Sequence, residues 1–333
     1  MEYLEVPNLT AAVSRAALGT WAIGGSMWGG TDPGLGIATI QAAIDQGVTL
    51  IDTAPVYGFG VAETLVGAAT RGSRRNRVNI ATKCGLVWAD GTIWRDASPM
   101  RLLDEVDASL RRLQTDYIDI YQIHWPDSTV AEHALADVLH SIKASGKVRA
   151  IGVCNFPAER AAQLHAICPL AFVQSAYNIY ERDIDKSLIP FARANNIATI
   201  AHSALCRGLL TGSVASNTAY ASDDVRSFDP KFKPDRRTQY ILASENLAVM
   251  AKMRFDKPLV SLALRWILDR GVDVALFGAR HPKQLAHLTD DFGWQIDART
   301  MQEIDRIVDQ AIAAPIGPEF MRPRQDREGK LPR

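Results

Sequence analysis

The chain has 333 residues, 47% of them hydrophobic and 22% charged, and its 37 basic and 37 acidic side chains cancel. A field with no net sign does not gather nucleic acid or an anionic membrane, so a charged ligand must be met by a local patch. No apolar run approaches the ~20 residues needed to span a bilayer, and the opening M-E-Y-L-E-V-P-N has no basic stretch of the kind an export signal carries.

The four cysteines, Cys84, Cys154, Cys168 and Cys206, form no C-x-x-C pair and have no histidine at metal-ligand spacing. The expectation is free thiols in a reducing cytoplasm, with no metal site and no membrane anchor.

From Ala16 onward short β-rich apolar runs alternate with stretches of helical period. The predicted strands cover 16–21, 48–52, 78–83, 118–124, 148–153, 172–176, 197–202 and 272–277. Between them lie amphipathic segments such as 98–113, which opens on Ser98 and Pro99 as cap and first-turn signals. Eight strand–helix repeats without a break in composition predict one closed (β/α)8 TIM barrel, a single domain spanning 1–333. The stretch before Ala16 is short enough for a hairpin closing the barrel floor.

Two segments depart from the alternation. Residues 206–236 read as a long polar loop after the seventh strand, and loops of that length in a compact domain are commonly functional lids. The tail, 315–333, is rich in proline and charge, and its last ten or so residues are expected to be mobile.

In such a barrel the chemistry sits at the carboxyl ends of the strands. The second strand ends in Asp52, with Tyr57 just beyond; the third ends in Lys83; the fourth ends in His124. Burying Lys or Asp alone is costly, so charged groups closing adjacent apolar strands predict a partnered cluster. The set suits carbonyl reduction: a phenol titrating near ~10 needs a neighbouring cation to stabilise its phenolate. Lys83 supplies that cation, Asp52 holds it, and His124 donates a hydrogen bond to a developing oxyanion. Tyr57 is then the proton donor, a contribution of about 10²–10⁴ in rate.

The pattern D-T-A-x-x-Y-G, then A-T-K, then a strand ending in His before W-P-D resembles the aldo-keto reductase superfamily. The resemblance runs from L-G-T-W at 18–21 through G-V-x-N-F at 152–156 to F-G-A-R at 277–280. Within that superfamily A-L-C-R-G-L-L-T-G, D-P-K-F and I-G-P-E-F-M are similar to the bacterial general stress protein type. It implies a catalytic tetrad of Asp52, Tyr57, Lys83 and His124 and a small-molecule aldehyde or ketone as substrate.

No G-x-G-x-x-G fingerprint opens a helix after a strand, so a Rossmann site is not expected. The resemblance implies instead an extended NADP(H) across the rim. Gly19, Thr20 and Trp21 would border the nicotinamide, and Asn155 and Gln174 would hold its carboxamide, with Asp52, Ser203 and Gly278 also in the cofactor site. Leu205, Cys206 and Arg207 would cover the pyrophosphate, making 206–236 a cofactor-covering loop. Arg280 and Gln284, opening the helix after the eighth strand, would meet the 2′-phosphate, for which a guanidinium fork and a helix start are suited.

Two positions depart from the family pattern. His202 stands where a tyrosine usually stacks under the nicotinamide, bringing a smaller ring and a possible charge. Cys154 replaces the usual serine beside Asn155, a weak donor in place of a good one. Trp21, Trp28, Trp88 and Trp125 are expected to line an apolar substrate pocket, and Arg95 is placed to reach inward.

Two rival readings use the same residues. A Schiff-base barrel enzyme would use Lys83 as nucleophile, which needs a free amine. A regulatory subunit would hold NADP(H) as a redox sensor without turnover. Monomer and oligomer remain equally open.

Overall fold

The computed structural model describes residues 1–286, 288 and 292–325. Its strands are β1 (Tyr3–Leu4), β2 (Val13–Ser14), β3 (Ala16–Gly19), β4 (Leu50–Asp52), β5 (Asn79–Cys84), β6 (Leu86–Ala89), β7 (Thr92–Arg95), β8 (Ile118–Ile123), β9 (Val148–Cys154), β10 (Phe172–Ala176), β11 (Ala198–His202) and β12 (Val274–Gly278). β3, β4, β5, β8, β9, β10, β11 and β12 close a barrel in that order, every neighbouring pair parallel. This is the (β/α)8 barrel read from the alternation, with each predicted strand displaced by at most two residues at its ends.

Because successive strand residues face opposite sides, each barrel strand contributes every second residue to the interior. Ala17, Leu50, Ala81, Ile120, Ala150, Phe172, Ile200 and Val274 form one apolar plug. Two residues further along the same strands stand Gly19, Asp52, Lys83, Gln122, Gly152, Gln174, His202 and, as the one large apolar member, Leu276. The polar layer therefore rests directly on the apolar one, at the carboxyl ends. Below the plug β1 and β2 pair antiparallel, and Val13 packs against it with Leu4, Val6 and Leu9, so the predicted hairpin closes the floor.

Helices cover the outside, as in Pro99–Leu113, whose cap residue Ser98 makes no side-chain cap bond. Between β11 and β12 stand two helices, Pro234–Phe255 and Leu259–Asp269. No helix among the described residues is long and apolar enough to cross a membrane.

The structure departs from the sequence reading in three places. Segment 206–236 is not featureless: it holds helical turns at Cys206–Thr211, Val225–Phe228 and Pro230–Phe232 and the start of the Pro234–Phe255 helix. It folds on buried charge, since Arg207 bridges Glu181 and Asp229 at 2.5 and 2.6 Å and Lys231 meets Glu181 at 2.7 Å.

The hairpin β6–β7 was not anticipated. Its signal is Asp90–Gly91, both at positive φ, the dipeptide that two-residue hairpin turns favour. After β12 the described residues show a short 3-10 turn, Pro282–Leu285, capped by His281, where a helix beginning at Arg280 was expected. The tail is tied down as far as it is described. Ile316 N–H donates to the Tyr240 hydroxyl at 3.0 Å, Lys231 Nζ to Gly317 O at 3.1 Å, and Gln325 Nε2 to Asp127 at 2.6 Å. Residues 326–333, the greater part of the stretch expected to be mobile, lie outside the described residues.

Candidate active site

Asp52 ends β4, Lys83 stands one residue before the end of β5, and His124 follows β8 immediately. Tyr57 lies in the loop leaving β4, which is pressed against the chain at Gly24: a Cβ on Gly58 would sit 2.1 Å from Gly24 O, so only glycine fits. That turn brings the phenol back over the barrel mouth. Lys83 Nζ donates to Asp52 Oδ2 at 2.6 Å, to Thr53 O at 3.0 Å and to the Tyr57 hydroxyl at 3.3 Å. These three bonds use all three ammonium protons, leaving the Tyr57 O–H free to donate elsewhere. The His124 ring stands edge-on to Tyr57, centroids 5.8 Å apart, and Trp21 stacks on Tyr57 at 6.1 Å.

The charges follow from burial. Burial raises the Tyr57 pKa, and although Lys83 pulls against it the phenol stays above its ordinary value. Burial lowers the Lys83 pKa, but Asp52 and then Tyr57 overcome it and hold the ammonium above its usual range. His124 is pushed well below the ordinary imidazole range by burial and by Lys83, so it is neutral and keeps one N–H to donate. A lysine so held offers no free amine, which removes the basis of the Schiff-base reading.

Beside this cluster a second network orients the amides. Gln174 Nε2 donates to Asp52 Oδ1 at 2.9 Å, and the Cys154 thiol donates to Gln174 Oε1 at 3.4 Å. Asn155 Nδ2 donates to His124 O at 3.1 Å, while its Oδ1 is 2.9 Å from His202 Nε2. An amide oxygen only accepts, so Nε2 carries the proton, and Nδ1 accepts from the Ser203 hydroxyl at 3.0 Å. The possible charge on His202 does not arise: burial, then Lys83, push its pKa down to about 3.

These side chains face one cavity of about 480 Å³ that runs from Tyr57 and His124 to Gly278, Arg280 and Gln284. It is also lined by Gly19, Trp21, Trp28, Trp125, Leu205 and Ser203. The end of β12 is open to close approach by a ligand, since a Cβ on Gly278 would meet nothing within 4 Å.

Several expected residues are not where the sequence reading put them. Trp88 lies outside the cavity, packed on Phe59 with centroids 5.6 Å apart. Thr20 is fully buried, its hydroxyl donates to Asp52 O at 3.0 Å, bracing β3 against β4, and it does not line the cavity. The Cys206 side chain is likewise buried away from the cavity. Arg207 reaches the wall; its Nη2 and Nε are held by Glu181 and Asp229, while Nη1 is buried without a hydrogen-bond partner among the described residues. Arg95 turns outward to Pro126 O at 2.8 Å and Pro323 O at 3.1 Å.

Other residues on the wall were missed: Leu86 and Ile93 from the β6–β7 hairpin, and Phe320, Met321 and Pro323 from the tail. The hairpin had a turn signal; the tail had none, because its approach to the mouth depends on the helix and hairpin it ties to. At the far end Arg280 donates to Trp28 O and Gly30 O, both at 2.6 Å, and the Gln284 carbonyl accepts from the Arg280 N–H at 2.7 Å. Arg226, also unanticipated, lies over the Trp28 ring at 5.1 Å.

The fold and the cluster together define a barrel oxidoreductase, in which a cation-braced phenol faces a cavity at the barrel mouth. Comparison with known families matches residues 15–309 to the Aldo/keto reductase family. The chain is 46% identical over 325 residues to aldo-keto reductase YhdN of Bacillus subtilis (strain 168), covering 97% of this chain and 98% of that protein. It is 35% identical over 302 residues to the NADH-specific methylglyoxal reductase of Escherichia coli (strain K12), covering 86% and 91%. The structure of glycerol dehydrogenase AKR11B4 from Gluconobacter oxydans superposes with a TM-score of 0.86 at 42% identity, covering 96% of this chain and 99% of that one. The chain therefore belongs to the aldo/keto reductase family and is an oxidoreductase that reduces carbonyls with a nicotinamide cofactor.

Proposed function

We propose that this protein reduces apolar aldehydes or ketones to alcohols with Tyr57 as the proton donor and NADPH as the preferred cofactor. The observation that carries the reading is the 3.3 Å contact between Lys83 and the Tyr57 oxygen, made while Asp52 holds the same ammonium at 2.6 Å. A nicotinamide cofactor held along the cavity would supply the hydride to the carbonyl carbon. As charge gathers on the substrate oxygen, the Tyr57 O–H transfers its proton to it and the neutral His124 donates a hydrogen bond. Lys83 stabilises the phenolate left behind until solvent returns the proton.

Asn155 and Gln174 suit a carboxamide, because one network locks their amides in the cavity wall. The segment 206–236 is proposed to cover the cofactor, with Arg226 and Phe228 contributing to that wall. Arg280 is proposed to bind the 2′-phosphate, exchanging its two carbonyl partners for a charge-assisted fork. The Escherichia coli relative is named NADH-specific, so this preference is the part most in need of test. A cytoplasmic location fits the four free, buried thiols.

The experiment is steady-state reduction of 4-nitrobenzaldehyde followed by NADPH and NADH absorbance. Turnover with a higher kcat/KM for NADPH is expected. Cofactor binding without turnover would favour the redox-sensing subunit, and a preference for NADH would remove the role given to Arg280.

A further inference from the structure

The loop that carries Tyr57 and the strand that carries Lys83 meet a second time, on the outer face of the barrel. Helix Val61–Ala69 follows the Tyr57 loop directly, and in its first turn the Ala62 N–H donates to Tyr57 O at 3.1 Å. The next residue, Glu63, is fully buried. Its Oε1 accepts from the Thr82 hydroxyl at 2.6 Å and its Oε2 from Arg112 Nε at 2.6 Å. Thr82 precedes Lys83 in β5 and points outward where Lys83 points inward. A second buried carboxylate grips the strand beyond Lys83: Glu105 accepts from Gly85 N–H at 2.9 Å, with Arg101 behind it at 3.3 Å. Position 83 is thus flanked on both sides by anchors reaching in from helices.

Inside the cavity the Tyr57 hydroxyl has one protein hydrogen-bond partner among the described residues, Lys83, at a distance near the long end for such a bond. Asp52 and Thr53 O hold the ammonium from within, and the contact of Gly58 with Gly24 places the Tyr57 loop, but neither ties that loop to β5 on the outer face. A carboxylate out of water is costly unless fully bonded, and Glu63 spends both oxygens joining these two elements and the neighbouring helix.

We infer that Glu63, acting through Thr82, is a positioning residue that sets the separation of the Lys83 ammonium from the Tyr57 hydroxyl. The inference rests on Tyr57 being the proton donor. A relay of short bonds outside the barrel, Tyr57 carbonyl to Ala62 N–H and Glu63 carboxylate to Thr82 hydroxyl, holds the pair in register. Misplacement of reacting groups by about 1 Å costs roughly 10²-fold in rate, so this link is worth measuring through kcat.

Thr82→Val removes the hydroxyl at nearly constant volume. Expected are a fall in kcat for aldehyde reduction of roughly 10- to 100-fold, with KM and the Kd for NADPH by fluorescence quenching changed by less than about 3-fold. The apparent pKa governing alcohol oxidation should move upward by about half a unit or more as the ammonium's hold on the phenolate loosens. A crystal structure of the variant should show the Lys83–Tyr57 separation lengthened. Thr82→Ser should restore most of the rate. Glu63→Leu, which removes the acceptor for Thr82, should lose kcat in the same direction and serves if Thr82→Val does not fold. Wild-type kcat and pH profile in Thr82→Val or in Glu63→Leu, whatever the melting temperature, would overturn the inference, as would a Thr82→Ser variant no better than valine. Tyr57→Phe assayed alongside separates the two claims: if it still reduces aldehydes, the proton-donor reading itself has failed.

Discussion

Lys83 donates to the Tyr57 oxygen across 3.3 Å, and yet the phenol is harder to ionise than a free tyrosine. The sequence reading expected the cation to make Tyr57 acidic. In the folded site burial acts more strongly than the cation, so Tyr57 stays protonated throughout the neutral range. That suits a donor that must keep its proton until charge appears on the substrate, with Lys83 already in place to stabilise the phenolate.

Tyr57→Phe removes the hydroxyl and leaves the ring against Trp21 and His124. NADPH affinity should change by less than about 3-fold while aldehyde reduction falls by about 10²–10⁴. Fluorescence titration and stopped-flow absorbance measure the two quantities, and a rate within tenfold of wild type contradicts the role.

Asp52→Asn takes away the countercharge of a buried ammonium and one partner of Gln174. Losing one partner of such a pair costs about 3–5 kcal/mol, which urea denaturation at neutral pH will read. An equally stable variant would mean that Thr53 O and Tyr57 suffice to hold Lys83.

Arg280→Ala should weaken NADPH by roughly one to two orders of magnitude, at about 1.5–3 kcal/mol for a charge-assisted contact, and NADH far less. Equal losses for the two cofactors would show that the guanidinium serves only to hold Trp28 and Gly30.

Two aromatic truncations separate the pocket from its surroundings. Phe320→Ala opens the tail side of the cavity and should raise KM for aromatic aldehydes roughly tenfold. Trp88→Ala, on the far side of Phe59, should leave that KM nearly unchanged. The opposite order would place the substrate toward the β6–β7 hairpin.

Glu105 gives the protein an uncommon pH dependence. Burial, opposed first by Arg101, raises its pKa to about 7 from an ordinary 4.5. A carboxyl raised on folding contributes stability that is complete below about 4.5 and lost as pH climbs through 7. The linkage amounts to about 3 kcal/mol in order of magnitude. Glu105→Gln stays neutral, so thermal melts should show it gaining on wild type between pH 5 and 8. A constant difference across that range would remove Glu105 as the source.

The sequence alone determined the barrel and the polar layer at its mouth. Strand alternation is local, so each apolar run announced its strand, and the residue closing each run announced what the rim would carry. That is why Asp52, Lys83 and His124 could be placed together before any distance was known. Residues whose surroundings come from distant segments were not legible in the same way. Whether Trp88 or Phe320 faces the cavity depends on how the hairpin and tail cross the mouth, and how Arg207 is held depends on Glu181 and Asp229, each more than 20 residues away in the chain. The charge states too were decided only by the tertiary structure: the same phenol, imidazole and ammonium titrate according to how much water is excluded around them, and exclusion is a property of packing from all sides, which local order along a chain does not encode.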